Sequence, residues 1–86
     1  MRLDKFLKLT RLIKRRTVAK NISAAGKVIV DKRTVKPSYI VKPDDVLELY
    51  LAEYIVVVKV ITVDEKTIRS NPEAGYKVIG KHLNAN

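Results

Sequence analysis

The run RRTVAKNISAAGKVIV, residues 15–30, holds two hydrophobic periods end to end, and the change between them sets the fold class. Over residues 15–25, Val18, Ala19, Ile22 and Ala25 recur at the spacing that gathers them on the inner side of an α-helix, with Arg16 and Lys20 one turn apart outside. Gly26 is the expected stop, in the left-handed conformation, while the start carries no convincing Ser or Asp cap. From Lys27 the period falls to two. Val28, Ile29 and Val30 read as a strand, and Asp31-Lys32 as a turn leading to Val35.

Upstream, residues 2–9 form a second amphipathic helix, because Leu3, Phe6 and Leu7 share one face and Lys5 and Lys8 project from the other. Asp4 stands four residues before Lys8 and near a helix N-terminus, both favourable for an acid. Residues 10–13 turn the chain. Downstream, Pro37 and Pro43 punctuate a loop, and Asp44-Asp45 make a turn before a strand over residues 46–51. Ala52-Glu53 is the expected hairpin to a long β-branched strand over residues 54–63. Ser70-Asn71-Pro72 opens a turn or one helical turn, Tyr76 to Ile79 return as a last strand, and the tail from residue 81 is expected to be loose. Helices first and strands after argue an α+β fold with one core.

Eighty-six residues suit a single domain, 1–86, with no room for a separate catalytic one. The net charge of +9 is confined to one end. Residues 1–36 hold twelve Lys or Arg against Asp4 and Asp31, a balance of +10, whereas the remainder holds six against seven acids, a balance of −1. A polyanion-binding face on a neutral scaffold is the expectation, with nucleic acid the leading partner. The chain has no cysteine, so disulfides and thiolate metal sites are excluded and a reducing cytoplasm fits. The basic start has no uninterrupted apolar core of a signal peptide, and the apolar stretch over residues 54–63 is about half a membrane span.

The motifs R-L-D-K-F-L at residues 2–7, R-R-x-x-A-x-x-I-x-x-x-G at 15–26, V-x-V at 28–30 and V-K-P-S-Y-I-V-K-P-D-D-V-L at 35–47 together resemble the S4 RNA-binding domain over residues 1–51. That resemblance implies the S4 (alpha-L) fold: two to three short N-terminal helices packed on a small, mostly antiparallel sheet, here with a C-terminal β extension over 52–80. The opening MRLDKFLKLTRLIKRRTVAK is similar to stand-alone S4 proteins of the RqcP (YabO-type) and small ribosome-associated heat-shock group. What this implies is a cytoplasmic, non-enzymatic factor that binds ribosomal RNA of a stalled large (50S) subunit and its peptidyl-tRNA. There it would support alanine tailing of the nascent chain beside an RqcH-type tailing factor. Two positions depart from the S4 pattern. Asp31-Lys32 replaces the usual Asn-Gly of a hairpin, at about 1 kcal/mol of strain if the turn needs positive φ, and Asp44 replaces a Gly, so a type I turn is expected there.

The RNA-binding candidates are Arg2, Lys5, Lys8, Arg11, Lys14, Arg15, Arg16 and Lys20, with Lys32 and Arg33 reaching out from the hairpin. Arginine suits phosphate because its planar fork holds two oxygens, and lysine adds a mobile charge. Arg16 and Arg2 lead the set: the resemblance places Arg16 at the family's recurring arginine of the second helix and Arg2 directly before L-D-K. For any one lysine a solvated surface is the ordinary fate, but eight basic residues among the first twenty, against one acid, repel each other unless a polyanion is bound. Arg16 has an alternative role, bonded to Asp4 and fixing the two helices. Phe6 falls on the buried face and no aromatic interleaves with the basic run, so base readout has no visible apparatus.

No catalytic set, metal site or cofactor is expected: His82 is the single histidine, Asp4 reads as a helix-orienting ion pair, and Asp44, Asp45 and Glu48 lack a calcium-loop pattern. Tyr50 and Tyr54 are candidates for a protein contact. The competing readings are a heat-shock-type S4 protein acting without tailing, the RNA-binding part of a modifying enzyme, which the Met1 start and complete strand series disfavour, and a membrane-surface protein that would leave Leu3, Phe6 and Leu7 exposed. A monomer is expected, with no membrane partner.

Overall fold

A computed structural model describes residues 1–84. Helix α1 (Leu3–Leu9) and helix α2 (Arg16–Ala24) come first, followed by strands β1 (Val28–Val30), β2 (Arg33–Thr34), β3 (Val46–Tyr50) and β4 (Tyr54–Val60). Helix α3 (Glu65–Ser70), a 3-10 turn (Pro72–Gly75) and strand β5 (Tyr76–Leu83) complete the order. The strands form one antiparallel sheet, β2-β1-β3-β4-β5. The α+β class and the S4 arrangement of helices on a small antiparallel sheet are as the sequence indicates.

The core lies between the helices and one face of the sheet. Leu3, Phe6 and Leu7 of α1, Ala19 of α2 and Ile68 of α3 are fully buried with Val28, Leu47, Val58 and Val60. Each large apolar side chain buried here contributes roughly 1.5–3 kcal/mol, an upper estimate because an unfolded chain already hides part of it. The burial of Leu3, Phe6 and Leu7 removes the apolar helix face that a membrane-surface protein would present. Among the described residues, no helix is long and apolar enough to cross a membrane.

The N-terminus is held like a short strand. Arg2 pairs with Ile40, the Leu3 N–H donates to the Tyr39 carbonyl at 2.7 Å, and the Val41 N–H donates to the Met1 carbonyl at 2.9 Å. Helix α2 ends in a Schellman motif: Gly26, at φ 76°, donates to the Ser23 carbonyl, and Lys27 donates to that of Ile22. Its inner face differs from expectation. Ala19 and Ser23 are buried and Ile22 half-buried, while Val18 and Ala25 are exposed. The Ser23 hydroxyl satisfies itself on the Ala19 carbonyl at 2.8 Å, which lets a polar residue replace an apolar one on that face.

The C-terminal half departs from the sequence reading in three places. Strand β4 stops at Val60, not residue 63, because Thr62 accepts the Asp64 N–H and Asp64 caps α3 by accepting the Thr67 N–H. Helix α3 is the element missed; the pattern Asp64-Glu65-x-Thr67-Ile68-Arg69 is a capped turn with a Glu65–Arg69 pair one turn apart. The expected loose tail is also corrected. Residues 81–83 belong to β5, and Asn84 bonds to Leu51 and Glu53, so the strand runs well past Ile79; residues 85 and 86 of that expectation lie outside the described residues.

Both departures from the S4 turn residues keep the left-handed backbone. Asp31 and Lys32 stand at φ 51° and 65° in a two-residue hairpin between Val30 and Arg33, and Asp44 stands at φ 74°. The type I turn expected at Asp44 is therefore not formed. Instead the Asp44 N–H donates to the Val60 carbonyl at 2.8 Å, and Asp45 accepts from the Tyr39 hydroxyl and the Lys42 amide.

Candidate nucleic-acid interface

The basic helices meet at one buried acid. Asp4, whose side chain is 3% exposed, accepts two bonds from the Arg2 guanidinium at 3.2 and 3.3 Å, one from the Lys5 amide at 2.8 Å and one from Arg16 at 3.5 Å. Burial pushes the Asp4 carboxyl up, but the Arg2 hydrogen bond, the Lys5 amide and the charges of Arg16 and Arg2 outweigh it, leaving it below its ordinary value. Asp4 thus stays charged and works as an anchor that fixes two forks. Arg2 and Arg16 remain about half exposed, 48% and 52%, so each keeps N–H groups facing solvent. Lys8, which the spacing pairs with Asp4, is exposed and takes no part in this cluster.

Arg2, Asp4, Arg16, Thr17 and Lys20 line an open cleft of about 380 Å³ between the start of α1 and the outer face of α2. Helix α2 begins badly by its own electrostatics. Arg15 and Arg16 stand at the positive end of the helix dipole, its first turn has no acid, and no side chain caps its free N–H groups. An anion relieves all three defects together, and phosphate is the chemistry that fits a helix N-terminus flanked by guanidinium forks.

A protein-family model described as the S4 domain matches residues 1–47. The chain is 40% identical over 79 residues to the RQC P-site tRNA stabilizing factor of Listeria monocytogenes, covering 92% of this chain and 86% of that protein. The chain belongs to this family of S4-domain proteins. Its counterparts in Streptococcus pneumoniae and Bacillus subtilis, bearing the same name, are 36% and 38% identical, each spanning 92% of the relative. Among solved structures, trimeric heat shock protein 15 of Vibrio cholerae shares the fold, with a TM-score of 0.78, 24% identity and coverage of 91% of this chain and 80% of that one.

Within this S4 frame the ten candidate residues separate into groups. Arg2, Arg16 and Lys20 share the cleft, and exposed Lys14 and Arg15 lead into it from the connection before α2. Lys5 turns away and forms an ion pair with Glu65 of α3, tying α1 to the C-terminal half. Hydrogen bonds from Lys5 and then Arg69 hold the Glu65 carboxyl below its ordinary value, against a smaller opposing effect of desolvation. Arg11 lines a different groove, with Thr10, Asn71, Pro72, Glu73 and Tyr76, and its backbone sits at φ 60° just past the end of α1. Lys32 and Arg33 are exposed on the β1–β2 hairpin. Sequence reasoning could not separate Lys5 from Lys20, because the acid that engages Lys5 is sixty residues away on a helix the pattern did not reveal. Among the described residues, no group of His, Cys, Asp or Glu is arranged to hold a metal ion.

Proposed function

We propose that this protein is a non-enzymatic RNA-binding factor of cytoplasmic ribosome-associated quality control. It binds the stalled large ribosomal subunit and steadies the peptidyl-tRNA held there, with contacts to ribosomal RNA and tRNA. In doing so it supports alanine tailing of the trapped chain by an RqcH-type factor. The observation that carries this reading is the cleft in which buried Asp4 orients Arg2 and Arg16 beside Lys20, in a chain about 40% identical to factors named for stabilizing P-site tRNA.

The chemistry is positional. Preorganised arginine forks lose little freedom on meeting phosphates, and a rigid two-helix face can follow a backbone by shape without reading sequence. The strongly basic face repels a second copy of itself, which favours action as a monomer. The heat-shock-type alternative, rescue without tailing, has the weaker support, since heat shock protein 15 is 24% identical and shows only the fold.

Sedimentation of the purified protein with large subunits prepared with and without peptidyl-tRNA tests the proposal. Retention on the large subunit, strengthened by peptidyl-tRNA, is the expected result. Binding confined to small subunits would overturn it.

A further inference from the structure

Outside the arginine cleft, the structure joins a lysine and an aromatic ring that are far apart in sequence. Lys27 follows the Schellman end of α2, and Tyr50 closes β3; the Tyr50 N–H donates to the Lys27 carbonyl at 2.8 Å, which locks the two residues side by side. Two openings flank this pair. One, of about 480 Å³, is lined by Ile22, Lys27, Tyr50, Leu51, Ala52 and Asn84. The other, of about 340 Å³, adds Ala25, Gly26 and Ile29 to Lys27, Tyr50 and Asn84.

The chemistry of this lining is selective. It offers aliphatic walls, one aromatic ring and a single ammonium group, beside an Asn84 amide already bonded to Leu51, and no carboxylate lines either opening among the described residues. A ligand that satisfies it is flat and apolar on its faces and carries a negative charge at its edge. A nucleotide has that composition: the base can lie against a ring, and its phosphate can meet a lysine. The volumes fall at the lower end of the range for small-ligand sites, where one nucleotide would fit and a folded helix would not.

Position supports the same ligand. Helix α2 starts at the arginine cleft with Arg16, shows Lys20 one turn on, and ends at Ala24, a length on the order of 13 Å, with Lys27 three residues beyond. Lys27, just past the far end of that helix, is the residue to which the Tyr50 amide bonds, so the crevice lies at the opposite end of α2 from the phosphate cleft. The aromatic side chain that the basic run lacks in sequence is supplied from β3 by the fold.

We propose that the Lys27–Tyr50 crevice is a subsite for one unpaired nucleotide of the bound RNA, with the base stacked on Tyr50 and its phosphate on Lys27. This rests on the RNA-binding reading above and adds to it a preference for unpaired over fully duplexed RNA.

The test measures binding, by fluorescence anisotropy at fixed salt, of a hairpin RNA with an unpaired loop and of a blunt duplex carrying the same number of phosphates. Tyr50→Leu is expected to weaken hairpin binding roughly 5- to 160-fold, the worth of one base–aromatic stack, and to leave duplex binding unchanged. Tyr50→Phe, which keeps the ring, retains hairpin affinity, and Lys27→Gln lowers the log-log salt slope by about 0.7 for the hairpin. Equal losses on both RNAs, or no loss on the hairpin, overturn the subsite while leaving the RNA-binding reading intact. Failure of the wild-type protein to bind either RNA overturns both. Should Tyr50→Leu melt below assay temperature, the wild-type protein is irradiated with the hairpin carrying 4-thiouridine in its loop. A crosslink to Tyr50 supports the subsite, and crosslinks confined to α1 and the start of α2 overturn it.

Discussion

The Arg16 guanidinium reaches the buried Asp4 carboxylate at 3.5 Å across twelve residues of chain, so the second helix is aimed by an acid on the first. The bond is long and half-exposed, which limits its worth to stability to about 0–1 kcal/mol. Its value lies in orientation, since it fixes one edge of the guanidinium and leaves the other toward the cleft. Arg16→Ala is accordingly expected to lower RNA affinity at least tenfold, the worth of about 1.4 kcal/mol and of the order of one charge-assisted bond to phosphate, with little change in Tm. A parallel fall in thermal stability and affinity, read by calorimetry and anisotropy, would instead make Arg16 a brace between helices.

Asp4 and Tyr39 set opposite ends of the pH profile. The Asp4 carboxyl is held below its ordinary value of 3.8, so its contribution to folding is complete above that value and is lost as pH falls through the depressed one. The Tyr39 hydroxyl is pushed up to about 12 by burial, by its bond to Asp45 and by the charges of Asp45 and Asp31. Its contribution is complete below pH 10 and disappears as pH rises toward 12. Asp4→Asn should flatten the acid limb of Tm against pH, and Tyr39→Phe the alkaline limb, each leaving the other in place.

Salt dependence follows from the groups that line the cleft or lead into it. Arg2, Lys14, Arg15, Arg16 and Lys20 contacting about five phosphates give a log-log slope of roughly −3.5 to −4.5. Lys20→Met should reduce that slope by about 0.7–0.9. Lys5→Met should change it less, because Glu65 already engages the Lys5 ammonium. Equal effects of the two substitutions on a salt titration would contradict this division of the basic residues.

The strained turns predict stabilised variants. Asp44 at φ 74° and Lys32 at φ 65° hold side chains in a region that costs about 1–2 kcal/mol relative to glycine-like freedom. Asp44→Gly should raise Tm at no cost to RNA binding, since its ion pair with Lys59 is exposed at 3.5 Å. Lys32→Gly should also raise Tm while removing a charge from the hairpin. Thermal melts of the two variants check the first claim, and RNA titration separates them.

Gly75 predicts the reverse. A Cβ there would stand 2.9 Å from Thr10 Cγ2 and 3.2 Å from Ile68, at the point where the 3-10 turn presses on α1 and α3. Gly75→Ala should cost about 1–3 kcal/mol by overpacking, seen as a lower denaturant midpoint with the Arg2–Asp4–Arg16 cluster left in place.

The apolar spacing of Leu3, Phe6 and Leu7, and the change of period at Lys27, reflect local geometry, and both elements formed where those patterns stand. The inner face of α2 was misread because Ser23 solves its polarity on its own helix, a possibility that hydrophobic spacing does not register. Helix α3 escaped because six residues with one buried Ile68 give too little period to distinguish from a loop, and only the Asp64 cap marks it. Within the site, Arg16 was legible as a basic residue on the second helix and Arg2 as one at the start of the first. The Asp4–Arg16 bond was also legible, as the alternative role of Arg16, whereas the removal of Lys5 by Glu65 and the pairing of Lys27 with Tyr50 are long-range facts that no local pattern contains.

The central claim is that the Asp4-anchored arginines hold this protein on large subunits bearing peptidyl-tRNA. Affinity purification of the tagged wild-type and Arg16→Ala proteins from the same cells, followed by identification of the co-purifying RNA, tests it most directly. The account predicts free large subunits with peptidyl-tRNA in the wild-type sample and their loss from the variant; recovery of small subunits alone, or equal recovery of large subunits by both proteins, would contradict it.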